Sequence, residues 1–107
     1  VLKLVKINFK LRLMSKKEAA FYKKLEITLN ETLVFPADYM FKFIIPNQLE
    51  QKQQIETIFD FVGAVIKSNP SKAGNYLSIT VIIKAKSAIQ IIEKYKEVAK
   101  VKGVISL

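Results

Sequence analysis

The chain has 107 residues, of which 50% are apolar and 25% charged, and it carries a net charge of +9. A chain of this length and composition can fill one hydrophobic core, so we expect a single globular domain. The sequence contains no cysteine and no histidine. It therefore excludes disulfides, thiolate zinc sites and catalysis by either residue. No apolar run approaches the roughly 20 residues that span a bilayer, so we expect no membrane partner.

The first residues of the chain are basic and alternate in polarity. Residues 1–17 contain six of the 18 basic residues and no acidic one, and Arg12 is the only arginine. Residues 5–13 alternate between apolar and polar side chains, the pattern of a strand with one buried face. We predict residues 1–14 as an N-terminal extension that forms this strand. An alternative is that Met14 is the natural start.

A leading helix follows the extension. Ser15 and Glu18 have the spacing of a capping box, which predicts a helix that begins at Ser15 and ends near Thr32. Phe35-Pro36 prevents its continuation, because proline restrains the preceding residue to extended conformations. The expected apolar stripe of the helix consists of Phe21, Leu25 and Leu29.

The rest of the chain alternates between strand and helix patterns. The predicted elements are a strand over 39–45, a helix over 49–62 before Gly63, a strand over 64–67, a loop over 71–75, a strand over 76–85, a helix that begins at Ser87 and Gln90, and a strand over 101–107. Pro70 predicts an edge position for the short strand, and Gly74 a positive φ in the hairpin. The expected stripe of the last helix is Ile89, Ile92, Tyr95 (or Lys96) and Ala99.

This order is β-α-β-β-α-β. It predicts an α+β fold, a ferredoxin-like sandwich in which two helices cover one face of an antiparallel sheet. Residues 15–107 then form a single ferredoxin-like domain with a leading helix. In the first strand Tyr39, Phe41 and Phe43 would face the helices, while Met40 and Lys42 would lie on the open face. That face is predicted to be small, polar and slightly basic.

Signatures of catalysis are missing from the sequence. The three glycines lie too far apart for a phosphate-binding loop. The acidic pairs Glu56–Asp60 and Glu93–Glu97 are spaced four residues apart among lysines, which is typical of solvated helix faces. We therefore predict a protein that is not an enzyme and that has no catalytic residues, no metal and no cofactor. RNA-binding modules of this plan stack bases on sheet aromatics, and here only Tyr76 would be available.

Three stretches resemble those of a known family: Phe35-Pro36-Ala37-Asp38-Tyr39-Met40-Phe41-Lys42, Ser71-Lys72-Ala73-Gly74-Asn75-Tyr76-Leu77-Ser78, and residues 104–107. Together they resemble the YbeD-like family, small bacterial proteins of unknown function, over about residues 33–107. The resemblance implies a domain similar to the ACT regulatory domains, which bind amino acids and pair side by side. Members have been associated with lipoic acid as regulators. The matching positions are Pro36, Asp38, Lys42, Ser71, Gly74, Tyr76 and Ser78.

These positions give a candidate binding site. Lys42 in a central strand gains nothing for the core. With Lys72, Ser78 and the backbone amides around Gly74 it would form an anion-binding patch. Tyr76 would contact either the ligand or a second subunit. Pro36 and Asp38 would set the entry to the strand, and the role of Ser71 is open.

The expected function is that of a cytoplasmic regulatory or interaction module of ACT-like form, without catalysis. It would be a homodimer that binds a small anionic ligand or a protein partner on the open sheet face or at a subunit seam. The alternative is a nucleic-acid-binding domain that uses the basic N-terminus and four lysines, namely Lys42, Lys67, Lys72 and Lys84.

Overall fold

The computed structural model describes the backbone of residues 9–107 and the side chains of residues 16–107. This part contains three helices and four strands: α1 (Phe9–Thr32), β1 (Ala37–Pro46), α2 (Leu49–Ile58), β2 (Val65–Pro70), β3 (Tyr76–Ala85), α3 (Ala88–Val98) and β4 (Ile105–Ser106). The strands form one antiparallel sheet with the order β2-β3-β1-β4. The predicted α+β class and element order are confirmed for this part, and both are compatible with a ferredoxin-like fold.

The centre of the sheet is the pair β1 and β3. They pair over their full length, from Ala37 opposite Ala85 to Pro46 opposite Tyr76. Strict alternation places one side of each strand in the core, as predicted. Phe41 and Phe43 of β1 are fully buried. The other buried residues of these two strands are Ile45, Leu77, Ile79, Val81, Ile83 and Ala85.

The three helices pack on this inner side of the sheet. α2 and α3 contribute Ile55, Ala88, Ile91, Ile92 and Val98 to the core. α1 packs against α3 and buries Leu29, with Tyr22 and Leu25 partly buried beside it. The Lys96 ammonium group lies 5.2 Å from the centre of the Tyr22 ring.

The predicted N-terminal strand is wrong where the structure describes the chain. Residues 1–8 lie outside the described residues, and from Phe9 onward the backbone is helical. Ser15 therefore lies within α1 and does not begin it. Residues 10–14 are lysine, leucine, arginine, leucine and methionine, all good helix formers, so local propensity overrides the two-residue alternation. Phe21 is predicted to belong to the apolar stripe of this helix, but it is exposed. Its neighbour Tyr22 packs against the core instead.

Other predicted boundaries shift by several residues. α2 ends at Ile58, before the predicted Val62. β2 is longer than predicted and runs to Pro70. β4 is only two residues long. Val101, the first residue of the predicted strand, is buried in a turn before Gly103. In α3, Ile89 and Ala99 are exposed. Ile92 is buried and Tyr95 partly buried, as predicted, and the other buried residues of the helix are Ala88, Ile91 and Val98.

Several local predictions are confirmed. The Ser87 hydroxyl accepts a hydrogen bond from the Gln90 N–H at 3.1 Å, and it caps α3. The Gln90 amide oxygen accepts one at 2.7 Å from the N–H of Lys86, the residue before the cap, whereas in a standard capping box it would bond the N–H of the cap residue itself. Gly74 has a φ of +82° in the β2–β3 hairpin. Pro70 lies on β2, which is at the edge of the sheet.

Candidate binding face

The outer side of the sheet, which we call the open face, is the candidate site. It carries the side chains that alternate with the buried ones, and cross-strand pairing arranges them in rows. An apolar row crosses three strands, with Val65 and Met40 on either side of Ile82. The next row is basic, with Lys67 and Lys42 on either side of Thr80. Neighbouring strands lie about 4.8 Å apart, so the two lysines begin roughly 10 Å from one another.

The basic row has no acidic partner among the described side chains. The two ion pairs of that part of the chain join Lys23 to Glu26 and Lys94 to Glu97, both on helices. The acidic residue of the open face, Asp38, lies opposite Lys84 at the far end of β3. The lysines of the basic row are thus left to attract an anionic group from outside the described chain.

The open face is more apolar than the sequence predicts. Six of the twelve large apolar side chains that the described part exposes lie on it: Met40, Val65, Tyr76, Ile82, Ile105 and Leu107. Leu107 follows Ile105 by two residues and therefore lies on the same side of the sheet. Its N–H donates to the Lys42 carbonyl, which continues the pairing of β4 with β1. Such a concentration is typical of an interaction surface.

The predicted anion patch is divided between two places. Lys42 lies opposite Thr80, and Ser78 is the diagonal neighbour of Lys42 on the open face. Lys72 and Gly74 lie in the hairpin loop beyond Tyr76, four residues along β3 from Thr80. Four strand residues span about 13 Å, so these two groups do not surround the same point. Binding at these residues stays a prediction.

The hairpin loop uses its polar groups for its own closure. The Gly74 N–H donates to the Ser71 carbonyl at 2.9 Å. The Ser71 N–H donates to the Tyr76 carbonyl at 2.8 Å, and the Ser71 hydroxyl accepts from the Tyr76 N–H at 3.0 Å. The Asn47 side chain donates to the Gly74 carbonyl. Ser71 and Gly74 therefore shape the hairpin.

The other matched positions lie at or near the strand ends. Pro36 directly precedes β1, and Asp38 is the second residue of that strand. Tyr76 is the first residue of β3, opposite Pro46, with 52% of its surface exposed. It is the one exposed aromatic side chain on the described sheet, since Tyr39, Phe41 and Phe43 face the helices.

An aromatic cluster supports β1 from the inner side. The Tyr39 and Tyr95 hydroxyls are hydrogen-bonded at 2.7 Å, and both rings contact Phe41 edge to face. Burial, together with this hydrogen bond, raises the pKa of Tyr95 above its ordinary value. Burial, with a smaller contribution from the charge of Glu18, also raises the pKa of Tyr22. The hydrogen bond between the Tyr39 and Tyr95 hydroxyls thus joins β1, the strand that carries Lys42, to α3.

A groove lies on the helix side of the protein. It is an open groove of about 500 Å³ between α2 and the end of α3. Its lining is mixed, with the polar residues Glu50, Gln53, Thr57, Glu97 and Lys100 beside the apolar Ile58 and Val101. None of the seven positions that carry the sequence resemblance lies in it. Among the side chains of residues 16–107, no group of three or more acidic residues is placed to hold a metal ion.

The fold and the open face define an α+β domain with a four-stranded antiparallel sheet that is covered by helices on one side. The chain belongs to the family described as protein of unknown function (DUF493), the YbeD family, whose sequence pattern matches residues 30–107. No curated protein and no solved structure matches the chain. No helix in the described part combines the length and hydropathy that crossing a membrane requires.

Proposed function

We propose that this chain is a non-catalytic regulatory or interaction module of ACT-like form that captures a partner on its open face. The observation that carries the proposal is the concentration of exposed apolar side chains on that face. Burying such side chains is favourable, by about 25 cal/mol per Å² of apolar surface. Lys42 and Lys67 of the basic row lie among these apolar side chains and favour a partner that carries an anionic group.

A comparison of two variants tests this function. The face variant Met40→Ser/Val65→Ser removes two exposed apolar side chains without entering the core. The control variant Phe21→Ser removes a similarly exposed side chain from α1. Each protein is purified gently from its own cells and weighed by native mass spectrometry. We expect a fixed additional mass, from a ligand or a partner, on the wild type and the control and not on the face variant. Retention by all three would overturn the proposal.

The edge of β2 supports a homodimer as part of the proposal. In the pairing of β2 with β3, Ser71 bonds to Tyr76, so the alternate residues Ile66 and Ser68 direct their backbone groups away from the sheet. A second copy would pair antiparallel along this edge. Like charges directly opposite one another are unfavourable, which favours the register with Val65 opposite Lys67 over the one that places the two Lys67 side chains together.

Ser68→Pro tests the dimer. It removes an outward N–H and leaves the hydrogen bonds between β2 and β3 intact. Light scattering on a sizing column should give a dimer for the wild type and for Ser68→Ala, and a monomer for Ser68→Pro. A monomeric wild type at high concentration, or a dimeric proline variant, would contradict this arrangement.

A nucleic-acid-binding function is the second candidate. It is favoured by the three lysines of the open face, Lys42, Lys67 and Lys84, against one acidic residue, Asp38. Phosphate neutralisation releases counterions, so binding to RNA or DNA through these lysines would weaken steeply with salt. Binding that does not change between low and physiological salt would exclude this candidate.

A further inference from the structure

The spacing of polar and apolar groups on the open face restricts the kind of partner. Along β1 the exposed side chains follow the order Met40, Lys42, Ile44, which is apolar, basic, apolar. Alternate residues of a strand lie about 6.6 Å apart. Residues four apart on an α-helix lie about 6.0 Å apart. A helix aligned with β1 can therefore match three successive positions of the strand.

From this match, and resting on the proposed function of the open face, we infer that the partner is an α-helix of another protein. The helix lies along β1 and β3 and presents an apolar, an acidic and an apolar residue at positions i, i+4 and i+8. Its acidic residue meets Lys42 and Lys67 above Thr80. Its apolar residues cover Met40 and Ile82 on one side and Ile44 on the other.

Hydrogen bonding favours a helix over an irregular segment. β1 and β3 pair along their whole length, so the centre of the sheet recognises a partner through side chains. A backbone segment buried there must satisfy its own N–H and C=O groups. A helix does so internally. Ten residues of β1 extend over roughly 33 Å, the length of about six turns of helix.

A second copy of this chain fits the open face poorly. Two open faces in contact would oppose their lysines, and the outer side of α1 exposes Lys16, Lys17, Lys23 and Lys24. The outer side of α3 presents Ile89 and Glu93 at i and i+4, but the residue at i+8 is the acidic Glu97. A helix with acidic residues on another protein is complementary to the basic row.

A pair of model peptides tests the inference. Both are fluorescent helices of about 15 residues, with leucine at i and i+8 and either glutamate or lysine at i+4. Anisotropy should show binding of the glutamate peptide at least about tenfold tighter than binding of the lysine peptide, since close charge pairs across an interface discriminate by this much or more. Lys42→Glu should abolish the preference, because the row then holds one glutamate and one lysine, Lys67, whereas Lys100→Glu, the same charge change on the helix side, should leave it unchanged.

Amide chemical shifts locate the bound peptide. They also distinguish failure of the helical-partner inference from failure of the proposed function of the open face. The glutamate peptide should shift the resonances of Met40, Lys42 and Thr80 and leave those of α2 unchanged. Equal binding of both peptides, or shifts confined to the helices, would overturn the inference. Shifts of the same three residues by inorganic phosphate, with no peptide binding, would overturn the helical partner and leave an anion-binding module. A face variant that retains the additional mass would overturn the module itself.

Discussion

Replacing Lys94 with methionine should destabilise the fold strongly, although the side chain is charged and lies on a helix. The Lys94 ammonium group of α3 donates to the carbonyl of Ile58, the last residue of α2, at 2.6 Å. It is also 3.2 Å from a Glu97 carboxylate oxygen and 5.9 Å from the centre of the Phe59 ring. The side chain is 15% exposed. This one group thus ends α2 and joins it to α3.

The expected cost follows from these contacts. A hydrogen bond from a charged donor contributes about 1.5–3 kcal/mol. The pair with Glu97, whose side chain is 46% exposed, adds roughly 0.5 kcal/mol, because solvent screens it. The ring contact adds about 0.5 kcal/mol. Methionine retains most of the buried stem and so adds little further loss, and Lys94→Met should lower the free energy of unfolding by about 2.5–4 kcal/mol.

Urea unfolding followed by circular dichroism measures this free energy. Glu97→Gln removes only the screened pair and should cost less than about 1 kcal/mol. A loss below about 0.5 kcal/mol for Lys94→Met would refute the reasoning, because it would mean that water replaces the ammonium group at the Ile58 carbonyl without cost.

Three further changes test other parts of the fold. The pKa of Tyr95 is raised above its ordinary value of 10.0, so the associated stability is complete below pH 10 and decreases as the pH rises above it. Tyr95→Phe should flatten this alkaline decrease in a pH series of urea midpoints, and an unchanged slope would contradict the assignment. Gly103→Ala should cost about 2 kcal/mol, since its φ is +78° and its Cβ would lie 2.8 Å from the Pro46 ring. Gly74→Ala, with a φ of +82° and open space around it, should cost less, and equal losses in thermal melts would rule out the contact. Gln51→Met should stabilise the protein by about 1 kcal/mol, because the buried Gln51 amide oxygen lacks a hydrogen-bond partner among the described residues; destabilisation would reveal a partner.

The sequence predicts the sheet well because its signals are local. The alternation in Tyr76–Ala85 gives the limits of β3 and its buried side. Ser87 and Gln90 give the start of α3. The prediction fails at Phe9–Leu13, where alternation over a few residues competes with helix propensity, and at α2, which ends early at the carbonyl that Lys94 binds. That contact joins residues 36 apart in the chain.

The open face is less predictable than the sheet. Alternation shows that Lys42 points outward, but it does not show what lies beside it. The neighbour across Thr80 is Lys67, and this follows from two registers, that of β1 against β3 and that of β2 against β3. The tight hairpin between Ser71 and Tyr76 sets the second register and is a signal that could have placed Lys67 opposite Thr80. The pairing of Lys42 with Thr80 joins residues far apart in the chain and has no such local signal. The apolar contributions of Ile105 and Leu107 depend on pairing with a strand about 60 residues earlier, which no local pattern reveals.

The unequal lengths of β1 and β4 have a consequence for amide hydrogen exchange. β4 pairs with Phe43 and Ile44, and the Leu107 N–H reaches the Lys42 carbonyl. Backbone direction alternates, so Met40 and Asp38 direct their N–H groups to the same side as Lys42, and no described residue accepts them there. Their amides should exchange rapidly with deuterium, while those of Tyr39 and Phe41, bonded to β3, exchange only on larger openings. Fast and slow exchange should therefore alternate from residue to residue along this half of β1. If another strand pairs with β1 there, slower exchange of the Asp38 and Met40 amides should be its first sign.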